Sequence, residues 1–499
     1  MRPLPLPMLW LRGVAANPAT PSKVLLRLLA ARVSVVWPVV AGARALPADV
    51  AEVAATHPET RVRGAFARNR HVAPELRGRL AGDPHPLVRA ALAAGPRPHL
   101  GIMVNEPLPD DALETLLTAQ DEEGKEPLLT AGEIRRELGF SGQIPQSFRR
   151  GLARHPNPEL RVTAVDLWPM LTPAERDALL ADPVASVAEA ARAQNRTLDP
   201  GAMRAELPDD DCGRRSYLLT NCAVSVAVAE QCLAERRDLG ALAHNRLTPA
   251  AIVARLARDP DPKVREQVAA RADLTADLLA ELAQDPEGAV RARARLQPLP
   301  RTWPQCVAVD RVLGNTACCL GRVGEMFLEP ATDWYEACVR SEEPVLRQVA
   351  ATCARLSPES VRRLADDADP EVRHLLALNH PLAPSAIVLD AFLALPCQRP
   401  YLLMLRGLPR TGLGHLLDHP APEVRALAAA DPGLDRPPVH FLTDPEAQVR
   451  RAAAANPLLP LDLVETLLDD PESAEAAAAN PRLPLALLHA LLDRSGLVG

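Results

Sequence analysis

Aromatic side chains are nearly missing from this chain, at 3% of 499 residues. Without large rings the interior has to be built from Leu, Ala and Val, which dominate a hydrophobic fraction of 47%. Lysine is almost absent as well, occurring only at Lys23, Lys125 and Lys263. The Arg, Ala and Pro bias is what a GC-rich bacterial genome would produce, so it carries little functional meaning. The net charge is −7 and the isoelectric point near 6.0, which does not favour a nucleic-acid partner. No run of 18 apolar residues exists for a membrane span. The apolar start MRPLPLPMLWLRG is broken by Pro3, Pro5 and Pro7 and closed by Arg12, so no signal core is expected. Nine cysteines, an odd number with no small secreted framework, suggest reduced thiols in a cytoplasm.

What is present is a repeated phrase. A D-P or H-P pair, a V-R, an Ala-rich stretch and an N-P step precede a Leu-rich run ending in Asp. It is plainest in DPEAQVRRAAAANPLLPLDLVETLLDD. The Asn before the N-P step marks the register at Asn17, Asn69, Asn195, Asn221, Asn245, Asn379, Asn456 and Asn480. The equivalent slots hold Ala43, Gly95, Leu167, Arg271, Gln297, Cys353, Leu405 and Asp431. Steps run from 24 to 28 residues and are mostly 26. Two gaps, 95 to 167 and 297 to 353, fit about three and two periods. The expected total is about nineteen repeats, stacked as a solenoid. The boundaries that follow are 1–95 and 167–297 for regular repeats and 96–166 for degenerate ones with an acidic loop. An irregular aromatic and Cys-containing segment takes 298–352, and regular repeats return over 353–499.

Each copy reads as two short helices. In the phrase above Asp444 is the expected N-cap and Pro445 the first helical position, with Val449, Ala452 and Ala453 as one apolar stripe. Asn456-Pro457 stops the helix, Asn because it tolerates left-handed dihedrals. Thr248-Pro249, Ser357-Pro358 and Thr172-Pro173 are expected to open second helices, whose buried face is Leu463, Val464, Leu467 and Leu468 in the phrase above. Neither helix is long enough to stand alone, so stability must come from stacking.

These D-P…V-R and N-P-x-L-P-x-x-L-L-x-x-L-L-x-D strings resemble the leucine-rich repeat variant family, a relative of HEAT and armadillo solenoids. The resemblance covers nearly the whole chain. It implies an all-α, right-handed solenoid alternating α-helices with shorter, often 3₁₀, helices, and a scaffold without common chemistry. Some relatives carry an iron–sulfur Cys cluster ahead of the repeats. Here the first cysteine is Cys212, so that feature does not carry over.

The arginine of V-R recurs at Arg63, Arg89, Arg161, Arg215, Arg265, Arg291, Arg347, Arg373, Arg425 and Arg450. One per layer, these residues could form a phosphate rail. Because Asp recurs with the same period, an internal ladder of Arg against capping Asp or neighbouring carbonyls is the expected reading. Cysteines gather at Cys306, Cys318, Cys319, Cys338 and Cys353, without metal-ligand spacing, and read as small buried hydrophobes. No glycine-rich phosphate loop, zinc-protease helix or nucleophile elbow occurs, so no catalytic, cofactor or metal residues are assigned. The segment 298–345 holds Trp303, Phe327, Trp334 and Tyr335, the expected partner-binding residues unless they merely fill a kink. The run Asp121 to Glu126 reads as a solvated loop. The expected function is a non-enzymatic scaffold for protein partners. A nucleic-acid-binding solenoid and an enzyme using a solenoid cradle are the alternatives.

Overall fold

The computed structural model describes residues 4–31, 33–96, 105–121, 128–168, 171–296, 301–314 and 330–496. Among them every regular element is a helix and no strand occurs. Helices of mostly five to eleven residues follow one another in pairs, as in Pro262–Ala269 with Ala276–Leu282. The first helix of each pair is called A and the second B. Several B elements are single 3₁₀ turns, such as Gly414–Leu416 and Val439–Thr443.

The apolar stripe expected from the repeat is what the A helices bury. Val264, Val268 and Ala269 of one layer, and Leu242 and Ala243 of the layer before, belong to one continuous aliphatic core. Ile252, Leu256, Leu278 and Leu282 of the B helices join it. Ala at the A–A contact lets layers approach closely, and Leu and Ile fill the remaining volume. Eight-residue helices are marginal alone, so the layers hold one another in place.

Two details of the turns differ from the sequence reading. Asp444 does not cap the helix after it: Ala447–Ala454 has Glu446 at its N-cap, and Asp444 instead accepts from the Glu446 N–H at 2.8 Å. The D-P pair forms a side-chain-to-backbone turn one step before the helix, because a bend is needed there first. Pro reaches the first position of these A helices when it stands three residues after the turn's first residue, as at Pro262 and Pro370. The slot Asn is not left-handed either. Asn17 and Asn245 sit in extended backbone, with φ of −62° and −72°. Of the expected caps, Thr172 and Ser357 accept the helix N–H, while the Thr248 hydroxyl donates to the Leu242 carbonyl instead.

The chain divides into two compact units. One is Gln146–Leu382; the other joins Met1–Pro145 with Ala383–Gly499. The second unit is therefore assembled from both ends of the sequence. Within it the helix Leu6–Ala16 packs on Ala474–Ala478 and Leu485–Arg494.

Candidate functional site: the polar ladders and the end-to-end joint

The slot Asn makes the first ladder. At Asn69, Asn245, Asn456 and Asn480 the carboxamide nitrogen donates to two carbonyls at the end of the preceding A helix, and the oxygen takes the N–H two residues on. Asn221 and Asn379 instead donate to Tyr217 O and Leu375 O of their own helices. Asn245 bonds Leu219 O at 2.8 Å and Cys222 O at 2.7 Å, and accepts from Leu247 N at 2.8 Å. Asn456 repeats this on Ala429 and Asp431, and Asn480 on Ala454 and Asn456. Helix C-termini leave orphan carbonyls, and two N–H donors beside one acceptor is a combination a short amide side chain supplies.

Where the slot is not Asn, another donor arrives. Arg271 sends Nη1 to Ala243 O at 2.7 Å and Asn245 O at 2.8 Å. Its charge, on a residue only 1% exposed, is met by a fork onto Asp273 at 2.7 and 2.8 Å. Beside Ala43, Arg44 reaches Ala15 O at 2.9 Å and Asn17 O at 3.0 Å. Across the first irregular gap, Gln143 donates to Leu92 O and Ala93 O, both at 2.9 Å. Asp431 has no donor to offer and works with reversed polarity, accepting from Leu413 N and Gly433 N at 2.8 and 2.6 Å.

The V-R arginines make the second ladder. Arg265 sends Nη1 to the carbonyls of Asp259 and Pro260, closing its own D-P turn. Its remaining fork grips Asp285 of the next layer at 2.7 and 2.9 Å. The Asp285 carbonyl then accepts from Arg291 at 2.6 Å, so Asp285 links two arginines. The same fork joins Arg63 to Asp83, Arg161 to Asp182, Arg347 to Asp367 and Arg425 to Asp444. Arg215 pairs with Asp238. Arg89, Arg373 and Arg450 close their own turns through Asp83 O, Asp367 O and Asp444 O. These forks are largely screened from solvent, at 13% and 6% side-chain exposure for Arg265 and Asp285. The guanidinium holds the carboxyls of Asp182, Asp285 and Asp444 below the ordinary range, chiefly through the hydrogen bond.

The same Asn ladder crosses from one end of the chain to the other. Asn17 donates to Asn480 O at 2.7 Å and Ala478 O at 3.3 Å, as though Asn480 were its preceding repeat. Trp10 Nε1 donates to Leu468 O at 2.7 Å, and the Arg494 guanidinium lies 4.4 Å from its ring centre. Arg12 pairs with Glu475 at 3.0 Å, and Arg27 with Asp493 at 2.7 Å. At Gly13 a Cβ would overlap the Glu475 carbonyl oxygen and come within 2.5 Å of the Ala478 Cβ. Glycine is required there by close approach.

The aromatic candidates are distributed differently from the expected binding patch. Tyr335 is in the core at 5% exposure, with Trp334 edge-on to it at 5.3 Å. Trp303 is half-buried between Arg246 and Arg271, at 4.3 and 5.6 Å. Phe327, Cys318, Cys319 and most of the acidic run lie outside the described residues. Cys306, Cys338 and Cys353 are buried. Burial pushes the Cys306 thiol up to about 11 and Cys338 to about 12, so neither offers a thiolate at neutral pH. Among the described residues no group of three or more His, Cys, Asp or Glu could hold a metal ion, and no helix is long and apolar enough to cross a membrane.

Sequence reasoning missed the residue after the slot, which is Arg at 44, 70, 196, 246 and 406. The signal was its recurrence at a fixed offset from the slot. No protein-family model matches the chain, and no curated protein matches it.

Proposed function

We propose that this protein is a non-catalytic scaffold of the leucine-rich repeat variant type, a right-handed solenoid of about nineteen repeats that presents its surface to protein partners in the cytoplasm. One observation carries the reading: most of the recurring residues with chemical potential, the slot Asn and the V-R arginines, hydrogen-bond backbone carbonyls or the Asp of a neighbouring layer. Residues spent on architecture at every repeat leave recognition to the variable loop and helix surfaces. Capture from the native host with immobilised protein tests this. The expected result is a stoichiometric protein partner that survives nuclease treatment. Recovery of nucleic acid alone, or no retained partner under native salt, would sink the reading.

A further inference from the structure

A layer that uses its slot Asn across the stack has two unlike faces. One carries the carboxamide donor that reaches the layer before, and the other presents the carbonyls that end its own A helix. Asn480 gives its donor to Ala454 O and Asn456 O, while the carbonyls of Ala478 and Asn480 go to Asn17. Stacked layers of this kind finish with a donor face at one end and a carbonyl face at the other. In the unit formed by Met1–Pro145 and Ala383–Gly499 two such faces close on each other, Leu6–Ala16 against Ala474–Ala478 and Leu485–Arg494.

The plane between these layers is bounded on both sides. Arg44 bonds Ala15 O and Asn17 O, which ties Leu6–Ala16 to the layer after it. Asn480 ties its own layer to that of Asn456. An opening along the plane leaves those bonds in place and severs no peptide bond. It gives up the bonds of Asn17, the bond of Trp10 to Leu468 O, and the pairs Arg12–Glu475 and Arg27–Asp493. It also uncovers apolar surface on both sides, the Trp10 ring and Ala478 included, and such surface is driven to be covered again. The cover that fits is closely specified. At Gly13 the helices meet backbone against backbone, with no room for a Cβ beside Ala478. Asn17 needs two carbonyls at the end of the facing helix, and Arg12 and Arg27 need acids placed as Glu475 and Asp493 are.

We propose that the same joint also forms between two copies of this chain, the Leu6–Ala16 face of one seated on the Ala474–Ala478 and Leu485–Arg494 helices of the other. A second copy is the occupant because it presents this contact set without alteration. Exchanging an identical element between copies keeps the contacts the same, so concentration decides between closure within one chain and closure between two. Closure within the chain has the higher effective concentration and prevails in dilute solution; joined copies form when the plane opens and recloses at high protein concentration. The two faces are unlike, so the contact runs head to tail. The exchange does not depend on which partner the outer surface takes.

Charge exchange tests this in the full chain. One variant carries Arg12→Glu/Arg27→Asp and the other Glu475→Arg/Asp493→Arg. Closed on itself, each variant sets like charges against each other at both pairs; joined to one another, the two variants restore both pairs in either direction. One variant is tagged, and the two are mixed at high concentration with reductant, warmed below their melting transition, and separated by size with light scattering. The expected result is a species of twice the chain mass containing both variants, about tenfold or more above any dimer of either variant alone. A chain carrying all four substitutions regains both pairs internally and should remain single, and its melting profile shows that the fold accepts them. Should a two-residue variant fail to fold by itself, co-expression of the pair gives the same reading through capture on the tag. No mixed species on mixing or on co-expression, or an equal yield of dimer from the four-residue variant, would overturn the proposal.

Discussion

Two joints of the same design hold neighbouring layers together by different means. Between Asn456 and Asn480 the peptide chain itself connects the layers, and the Asn480 carboxamide bonds Ala454 O and Asn456 O. Between Asn480 and Asn17 no bond of the chain connects them, yet Asn17 reaches Ala478 O and Asn480 O in the same manner. The through-space joint carries Trp10 on Leu468, Arg12 on Glu475 and Arg27 on Asp493, where the covalent one has the ion pair of Arg450 with Glu472. The difference shows what a covalent link contributes. A short loop keeps two layers at high local concentration, and where it is absent more direct contact must replace it.

That comparison can be broken at its tightest point. Gly13→Val places side-chain atoms against Glu475 O and Ala478, and is expected to cost about 3 kcal/mol or more at the joint. Hydrogen exchange would then show Leu6–Ala16 losing protection while Pro262–Ala269 keeps it. Equal protection of both helices would mean that the joint tolerates a side chain.

A matched pair sharpens the comparison. Asn480→Ala and Asn17→Ala each delete two buried donor bonds to carbonyls of the neighbouring layer, for roughly 2–3 kcal/mol apiece. Asn480→Ala should lower the denaturation midpoint of the whole unit. Asn17→Ala should mainly free the N-terminal layer, detectable as faster proteolysis near residues 17–21. Identical behaviour would show that the covalent loop contributes nothing.

The two ladders separate under acid. Asp182, Asp285 and Asp444 have folded values below the usual 3.8. Their contribution is therefore complete above about pH 4 and is lost as pH falls through the lowered values. The Asn bonds do not titrate. Asp285→Asn should flatten this acid limb, with a loss of about 1–2 kcal/mol at neutral pH. An unchanged acid limb in that variant would remove the fork as its source. The smallest effect is expected from Arg494→Ala, which takes a half-exposed guanidinium off Trp10 for about 0.5–1 kcal/mol, measured as a shift in melting.

Much of the layer design was legible in the sequence. The Val and Ala stripe showed which side of each A helix faces its neighbours, and the shared period of Asp and Arg announced the second ladder. The Asn role was misread because its backbone permissiveness is a local property, whereas its work is done across layers on carbonyls 23 to 26 residues away. Tyr335 illustrates another limit. Clustering says that large side chains are needed in a segment, not whether they face a partner or a core.

The end-to-end joint left one trace. Asn17 carries the donor group of an ordinary slot, and its partners are Ala478 and Asn480. Periodicity records that units stack on their neighbours; it does not number which units are neighbours. Partners 461 to 463 positions apart lie beyond any local pattern.

That separation has a consequence for biosynthesis. The ribosome delivers Leu6–Ala16 long before Ala474–Ala478 exists, so this helix must wait for its seat while the residues between are still being made. Until then Trp10, Leu11 and Val14, all buried in the finished molecule, remain uncovered. This long-range docking should be a slow event in maturation, and the nascent chain is exposed to aggregation and to chaperone capture in the interval before it.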